Sequence, residues 1–96
     1  MTHYIAIVED AGPDHAVGVW FPDLPGCFSA GDDLDDALRN APEALELYLE
    51  DFITEGKPLP TVHTLTELKN DPDVAKNIKN YMVAVVELPR RAHAAE

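Results

Sequence analysis

Between Leu34 and Phe52, apolar side chains return at three- and four-residue intervals: Leu34, Ala37, Leu38, Ala41, Leu45, Tyr48, Leu49 and Phe52. This spacing puts them on one stripe of an α-helix of about five turns. Asp35, Asp36, Arg39, Glu43, Glu46, Glu50 and Asp51 fall off the stripe. Aspartates gathered in the first turn suit the positive end of the helix dipole. Gly31-Asp32-Asp33 ahead of them offers an N-cap carboxylate. Glu55-Gly56 closes the helix, with Pro58 and Pro60 as stop signals beyond it. Pro42 breaks the pattern. It deletes a backbone donor and is expected to kink the helix, at about 3 kcal/mol if unrelieved. A helix with a single apolar stripe needs a surface to lie on, and the flanking sequence supplies strands.

His3 to Glu9 is rich in β-branched and aromatic residues, with Tyr4, Ala6 and Val8 on one face and His3, Ile5 and Ile7 on the other. That pattern predicts a strand covered at least partly on both faces. The turn cluster Asp10-Ala11-Gly12-Pro13-Asp14 follows, and then a second alternating run sets Val17, Val19 and Phe21 against Ala16, Gly18 and Trp20. A hairpin joins the two. Pro22-Asp23-Leu24-Pro25-Gly26 has two prolines and a glycine in five residues, which makes a rigid turn. Leu24 is expected to pack at the edge of the core and Gly26 to adopt a conformation closed to other residues. Cys27-Phe28-Ser29-Ala30 is a short third strand. Past the helix, Thr64 to Leu68 and Asp73 to Lys76 each suggest one helical turn, and Tyr81 to Leu88 is a strong strand ended by Pro89.

The order is β-β-β-α-β: an α+β fold whose antiparallel sheet is covered on one face by one long helix. One domain over residues 1–89 and a loose tail over 90–96 follow from this reading. A chain of 96 residues buries a modest core, and its strands are apolar on both faces. The open face of the sheet is therefore expected to serve a homodimer or a larger homo-oligomer.

Charge narrows the function. The net charge is −11, and residues 1–55 hold 13 acids against one base, Arg39, while residues 56–96 are close to balance. Such a chain is not expected to bind nucleic acid directly, because phosphate calls for cationic surface. A basic protein partner suits it better. No stretch is long and apolar enough to suggest a membrane span, and no leader precedes the first strand, so the cytoplasm is the expected compartment.

Catalytic chemistry is absent from the pattern. Cys27 is the only cysteine and has no basic neighbour in sequence to activate it, which predicts a buried structural thiol. His3, His15, His63 and His93 are scattered without metal-ligand spacing. Asp32, Asp33, Asp35 and Asp36 lack the loop geometry of a calcium site and serve helix capping and solvation instead. Neither a metal, a cofactor nor an enzymatic activity is expected.

The run Phe21-Pro22-Asp23-Leu24-Pro25-Gly26-Cys27-Phe28-Ser29-Ala30-Gly31-Asp32, continued by Leu34, Ala37, Asn40-Ala41 and Glu43-Ala44-Leu45-Glu46-Leu47-Tyr48-Leu49, resembles the HicB antitoxin family. A strand, a Pro-Asp-Leu-Pro-Gly turn, a short strand, Gly-Asp and an acidic amphipathic helix make up that family's pattern. The resemblance implies a partial ribonuclease-H-like fold without nuclease activity. It also implies a HicA toxin as partner, a small basic ribonuclease whose RNA-binding or catalytic surface the antitoxin covers. Many members carry a C-terminal DNA-binding module. None is expected within this sequence, which makes it resemble the short form of the family. Pro42 stands where the family has an ordinary helix former. Joining the resemblance to the charge, the expected partner-binding residues are Asp32, Asp35, Asp36, Glu43, Glu46 and Glu50. The alternative is an orphan homo-oligomeric module with a regulatory or ligand-binding role and no toxin.

Overall fold

A computed structural model describes residues 2–89. Their elements are β1 (His3–Asp10), β2 (Val17–Trp20), β3 (Phe28–Gly31), α1 (Leu34–Thr54), α2 (Leu65–Leu68), α3 (Pro72–Asn80) and β4 (Met82–Glu87). The tail expected over residues 90–96 lies outside the described residues. β1, β2 and β3 form the antiparallel meander, and β4 enters antiparallel on the far side of β1, giving the order β3-β2-β1-β4.

α1 lies across one face of this sheet. Ala37, Ala41, Leu45 and Leu49 from its stripe are fully buried against Tyr4, Ala6, Val8, Val17, Val19 and Val86. The Asp33 carboxylate caps the helix by accepting from the Asp36 N–H at 2.8 Å. At the other end the Gly56 N–H reaches the Ile53 carbonyl and the Lys57 N–H reaches Phe52, with Gly56 at φ +68°. This pair of bonds is a Schellman closure, and it needs a residue at ease in the left-handed region. Pro42, expected to kink the helix, lies inside it, and α1 continues through it as one element. Only the donor to the Leu38 carbonyl is missing, and a helix held along its length by a sheet tolerates that loss.

Two differences from the sequence reading concern the segment after α1. The single turn expected at Asp73–Lys76 is a nine-residue helix, α3, begun by the Asp71 N-cap with Pro72 in its first turn. The sheet face away from α1 is consequently not bare. Asp73, Val74 and Asn77 of α3 share a concavity with Trp20 and Phe28, and Ile7 is fully buried although it faces away from the α1-side core.

The Pro-Asp-Leu-Pro-Gly turn is where distant parts of the chain are tied together. Leu24 is fully buried. The Leu24 N–H donates to the Phe21 carbonyl and the Cys27 N–H to the Leu24 carbonyl. Tyr48 of α1 donates its hydroxyl to the Pro25 carbonyl at 2.9 Å. The nearly buried Asp23 carboxylate takes the His63 backbone N–H at 2.8 Å and meets the His63 ring Nδ1 at 2.6 Å. Beside it the buried Tyr4 hydroxyl donates to the Pro60 carbonyl at 2.7 Å, and burial, reinforced by the charge of Asp23, raises the phenol's pKa. The segment leaving α1 is thus pinned back onto the turn.

Two glycines in this region are constrained for different reasons. Gly26 sits at φ +88° with open space around it, whereas a Cβ on Gly31 would collide with the backbone of Asp36 and Ala37 in the first turn of α1. Gly26→Val and Gly31→Ala should each cost about 1–3 kcal/mol of stability, by strain and by overpacking respectively. Gly26→Asn should be the milder change, since asparagine tolerates positive φ, while Gly31→Asn should be as damaging as the alanine. Denaturant midpoints of the four variants check this.

The His63–Asp23 contact gives a pH dependence. The hydrogen bond and the charge of Asp23 raise the pKa of His63 above its ordinary 6.5. The protonated imidazole is therefore favoured in the folded chain. The clasp's contribution is present in full below the ordinary value and is lost as pH rises through the raised, folded value. An NMR titration should find His63 titrating above 6.5, and Asp23→Asn should bring it back down. An unchanged midpoint in that variant would show the contact contributes nothing.

Candidate partner-binding site

The solvent side of α1 carries the acidic residues, and the stripe dictates where they fall. With Ala37, Ala41, Leu45 and Leu49 turned inward, residues three and four apart on the opposite side come together as one strip: Glu43, Leu47, Glu50 and Thr54. Asp35 lies to one side of it and exposed, and Asp32 is exposed in the connection before the helix. Glu43 and Glu50 are exposed and Glu46 is half-buried.

The Asp36 carboxylate pairs with Arg39 at 2.8 Å across one turn of the helix, so part of its charge is already compensated within the chain. Exposed pairs of this kind contribute about 0–1 kcal/mol.

Two residues that composition did not single out complete the surface. Leu47 is 64% exposed and Phe28 is 68% exposed, the highest values among the large apolar residues described. They border the same two concavities, one shared with Asn40, Glu43 and Ala44, the other with Gly26, Cys27, Ala44 and Tyr48. On its far side Leu47 shares a third concavity with Glu46, Glu50, Ile53 and Thr54. Leu47 thus has Glu43, Glu46 and Glu50 around it, and Phe28, opposite Trp20 on the strand face turned away from α1, rims two of the same concavities from the β3 edge. Phe28 was legible as part of the turn motif but not as exposed. Leu47 had one signal: it is a large apolar residue lying off the stripe.

Cys27 has no place in this surface chemistry. It is buried, its Sγ lies 3.7 Å from the Ala44 carbonyl, and burial pushes its pKa up, which keeps the thiol protonated. The other turn residues, Pro22, Asp23, Leu24, Pro25 and Gly26, hold β2, β3, α1 and the returning segment in place. Among the described residues no cluster of three or more His, Cys, Asp or Glu could hold a metal ion. Among them, too, no helix is long and apolar enough to cross a membrane.

Comparison with known proteins agrees with this picture. Residues 4–94 match the family of HicB-like antitoxins of bacterial toxin–antitoxin systems. An uncharacterised 14.9 kDa protein of Haemophilus phage HP1 is 34% identical over 88% of the chain, and the chain spans 59% of that protein's length. The crystal structure of the Burkholderia pseudomallei antitoxin HicB superposes with a TM-score of 0.74 at 29% identity, covering 96% of this chain and 67% of that one. The structure of a HicA3–HicB3 toxin–antitoxin complex matches with a TM-score of 0.64 at 28% identity, covering 90% of this chain and 96% of that one. Sequence, fold and relatives converge: the chain belongs to the HicB-like antitoxin family of bacterial toxin–antitoxin systems.

Proposed function

We propose that this chain binds and neutralises a small basic ribonuclease toxin of the HicA type, covering its RNA-binding or active surface with the outer side of α1 and the adjoining end of β3. The observation that carries the reading is the exposed Leu47 set among Glu43, Glu46 and Glu50, with the exposed Phe28 on the rim of the concavity that Leu47 shares with Glu43, on a chain of net charge −11. A fully solvated acidic face has no use for two large apolar side chains. A surface that docks on a basic protein uses both: the carboxylates steer, and the apolar centre holds once water is expelled. That a HicB3 relative occurs in a complex with HicA3 supports the same reading. The partner-binding set becomes Phe28 and Leu47 with Asp32, Asp35, Glu43, Glu46 and Glu50, and Asp36 drops to a lesser part because Arg39 occupies it.

Genetics tests the function directly. The expected outcome is an adjoining reading frame for a small basic protein that arrests growth alone and is silenced by co-expression with this chain. Continued arrest on co-expression would overturn the reading, and an isolated gene would favour an orphan regulatory or ligand-binding module.

Kinetics tests the site. Reversing Asp35, Glu43 and Glu50 to lysine should slow toxin association about tenfold or more and flatten its salt dependence. The fold should survive, since exposed substitutions cost under about 0.5 kcal/mol. Phe28→Ser and Leu47→Ser should instead speed dissociation, each at about 2 kcal/mol if it anchors the interface. Surface plasmon resonance separates the two effects. An association rate indifferent to both salt and the reversal, with dissociation unchanged by the serines, would place the toxin elsewhere on the chain.

A further inference from the structure

The outer edge of β3 carries backbone groups that no strand among the described residues uses. The Leu88 N–H donates to the Thr2 carbonyl at 2.9 Å, so Thr2 and Leu88 are a hydrogen-bonded pair of the β1–β4 ladder. In an antiparallel ladder such pairs recur at every second residue. Carried through the registers of β1 with β2 and of β2 with β3, this alternation turns Ser29 and Gly31 toward β2 and leaves the N–H and C=O groups of Phe28 and Ala30 pointing outward. The Ala30 carbonyl accepts from the Asn40 side-chain amide at 3.0 Å. α1 thus protects this edge without closing it: the Phe28 N–H, the Phe28 carbonyl and the Ala30 N–H still face outward.

Beside the edge lies a groove. The two concavities between β3 and α1 share Phe28, Ala44 and Leu47 and so run into one another. Gly26, Ala30 and Ala44 in its lining are small, which leaves room for a chain alongside β3. Its ends differ in chemistry. Toward the turn the lining is Gly26, Cys27, Leu47 and Tyr48, largely apolar. Toward Ala30 it is Asn40 and Glu43, and the exposed Asp32 follows β3 directly at that end.

We propose, resting on the toxin-binding reading above, that this groove takes an extended segment of the basic partner, which adds to the sheet as a fifth strand next to β3. Such a strand exchanges backbone hydrogen bonds with Phe28 in both directions and accepts one from the Ala30 N–H. Those bonds supply affinity, and the groove supplies the choice of segment. Side chains two positions apart share a face of a strand. The face turned to α1 meets Leu47 and Tyr48 at one end and Glu43 at the other. The segment that fits therefore carries an apolar residue and, two positions away, a lysine or arginine. An acidic segment is repelled by the same carboxylates. Phe28, exposed on the opposite face with Trp20 as its only cross-strand neighbour, acquires a second one on its open side.

The chain co-expressed with the toxin of the adjoining reading frame tests strand addition, read by residue-resolved amide hydrogen exchange. The Phe28 and Ala30 N–H groups should exchange about tenfold or more slowly in the complex than in the free chain. Ser29 and Gly31, bonded to β2 in both, should change far less. Ala30→Pro removes an outward N–H that the β2–β3 ladder does not use, so the fold should persist while the toxin dissociates about tenfold faster. The exchange measurement on the natural sequence decides the matter where the proline variant fails to fold. A complex that forms and silences the toxin while Phe28 and Ala30 exchange as in the free chain would overturn strand addition and leave the toxin-binding reading standing. Unchanged dissociation in a folded Ala30→Pro variant would do the same. A toxin that the chain neither binds nor silences, or the absence of one, ends both.

Discussion

A helix with Ala37 and Ala41 on its inner face lies closer to a sheet than one lined with leucines throughout, and in this chain the close approach begins at Gly31. No Cβ fits between that glycine and the first turn of α1. The same contact brings Ser29 to the Ala37 carbonyl at 3.4 Å and Asn40 to the Ala30 carbonyl. Once α1 is seated there, Leu45 and Leu49 reach the strand side chains farther along, and Tyr48 comes within range of the Pro25 carbonyl. The turn is then held from α1 on one side and from His63 on the other. The loops of this small domain are held by polar contacts that the seated helix and the returning segment bring within reach.

Much of this was legible in the residues because it is local or periodic. The stripe of α1, the Asp33 cap, the Gly56 stop and the inward–outward alternation of β1 and β2 are each set by neighbours within a few positions. The buried Leu24, the positive φ of Gly26 and the buried Cys27 followed from turn chemistry and from the thiol's lack of a basic neighbour. What could not be read depends on contacts far apart in sequence. Asp23 and His63 are 40 positions apart, and neither signals the other. α3 did carry a start signal in Asp71-Pro72, but only three apolar residues follow, Val74, Ala75 and Ile78, too few to establish a period without the sheet beneath them.

The candidate site shows the same limit. Charge suggested the sign of a partner and offered six carboxylates without telling them apart. The structure separates their surroundings. Asp36 already has Arg39, whereas Glu43 and Glu50 flank an exposed leucine that the sequence placed off the stripe without saying what it meets. Phe28 is the clearest case of a residue with a double reading. By sequence it belongs to a structural turn motif, and in the fold it is the apolar residue most exposed to solvent. A motif shared across a family therefore need not have one purpose: Leu24 and Gly26 maintain the turn, while Phe28, only two positions later, is exposed on the edge strand, opposite Trp20.

The distribution of charge and of unsatisfied backbone divides the molecule into two ends. At the β3 end lie α1, its carboxylates and the Phe28–Leu47 pair, and the strand's outward carbonyl is closed by Asn40. At the β4 end the strand is uncharged up to Glu87, and no strand among the described residues pairs with its outer edge. These properties are coupled through α1. By crossing the sheet toward β3, the helix protects that edge and concentrates negative potential there. Among the described residues it leaves β4 without a strand partner on its outer edge and away from that potential. A single amphipathic helix laid off-centre on a four-stranded sheet is enough to give its two edges different electrostatic surroundings.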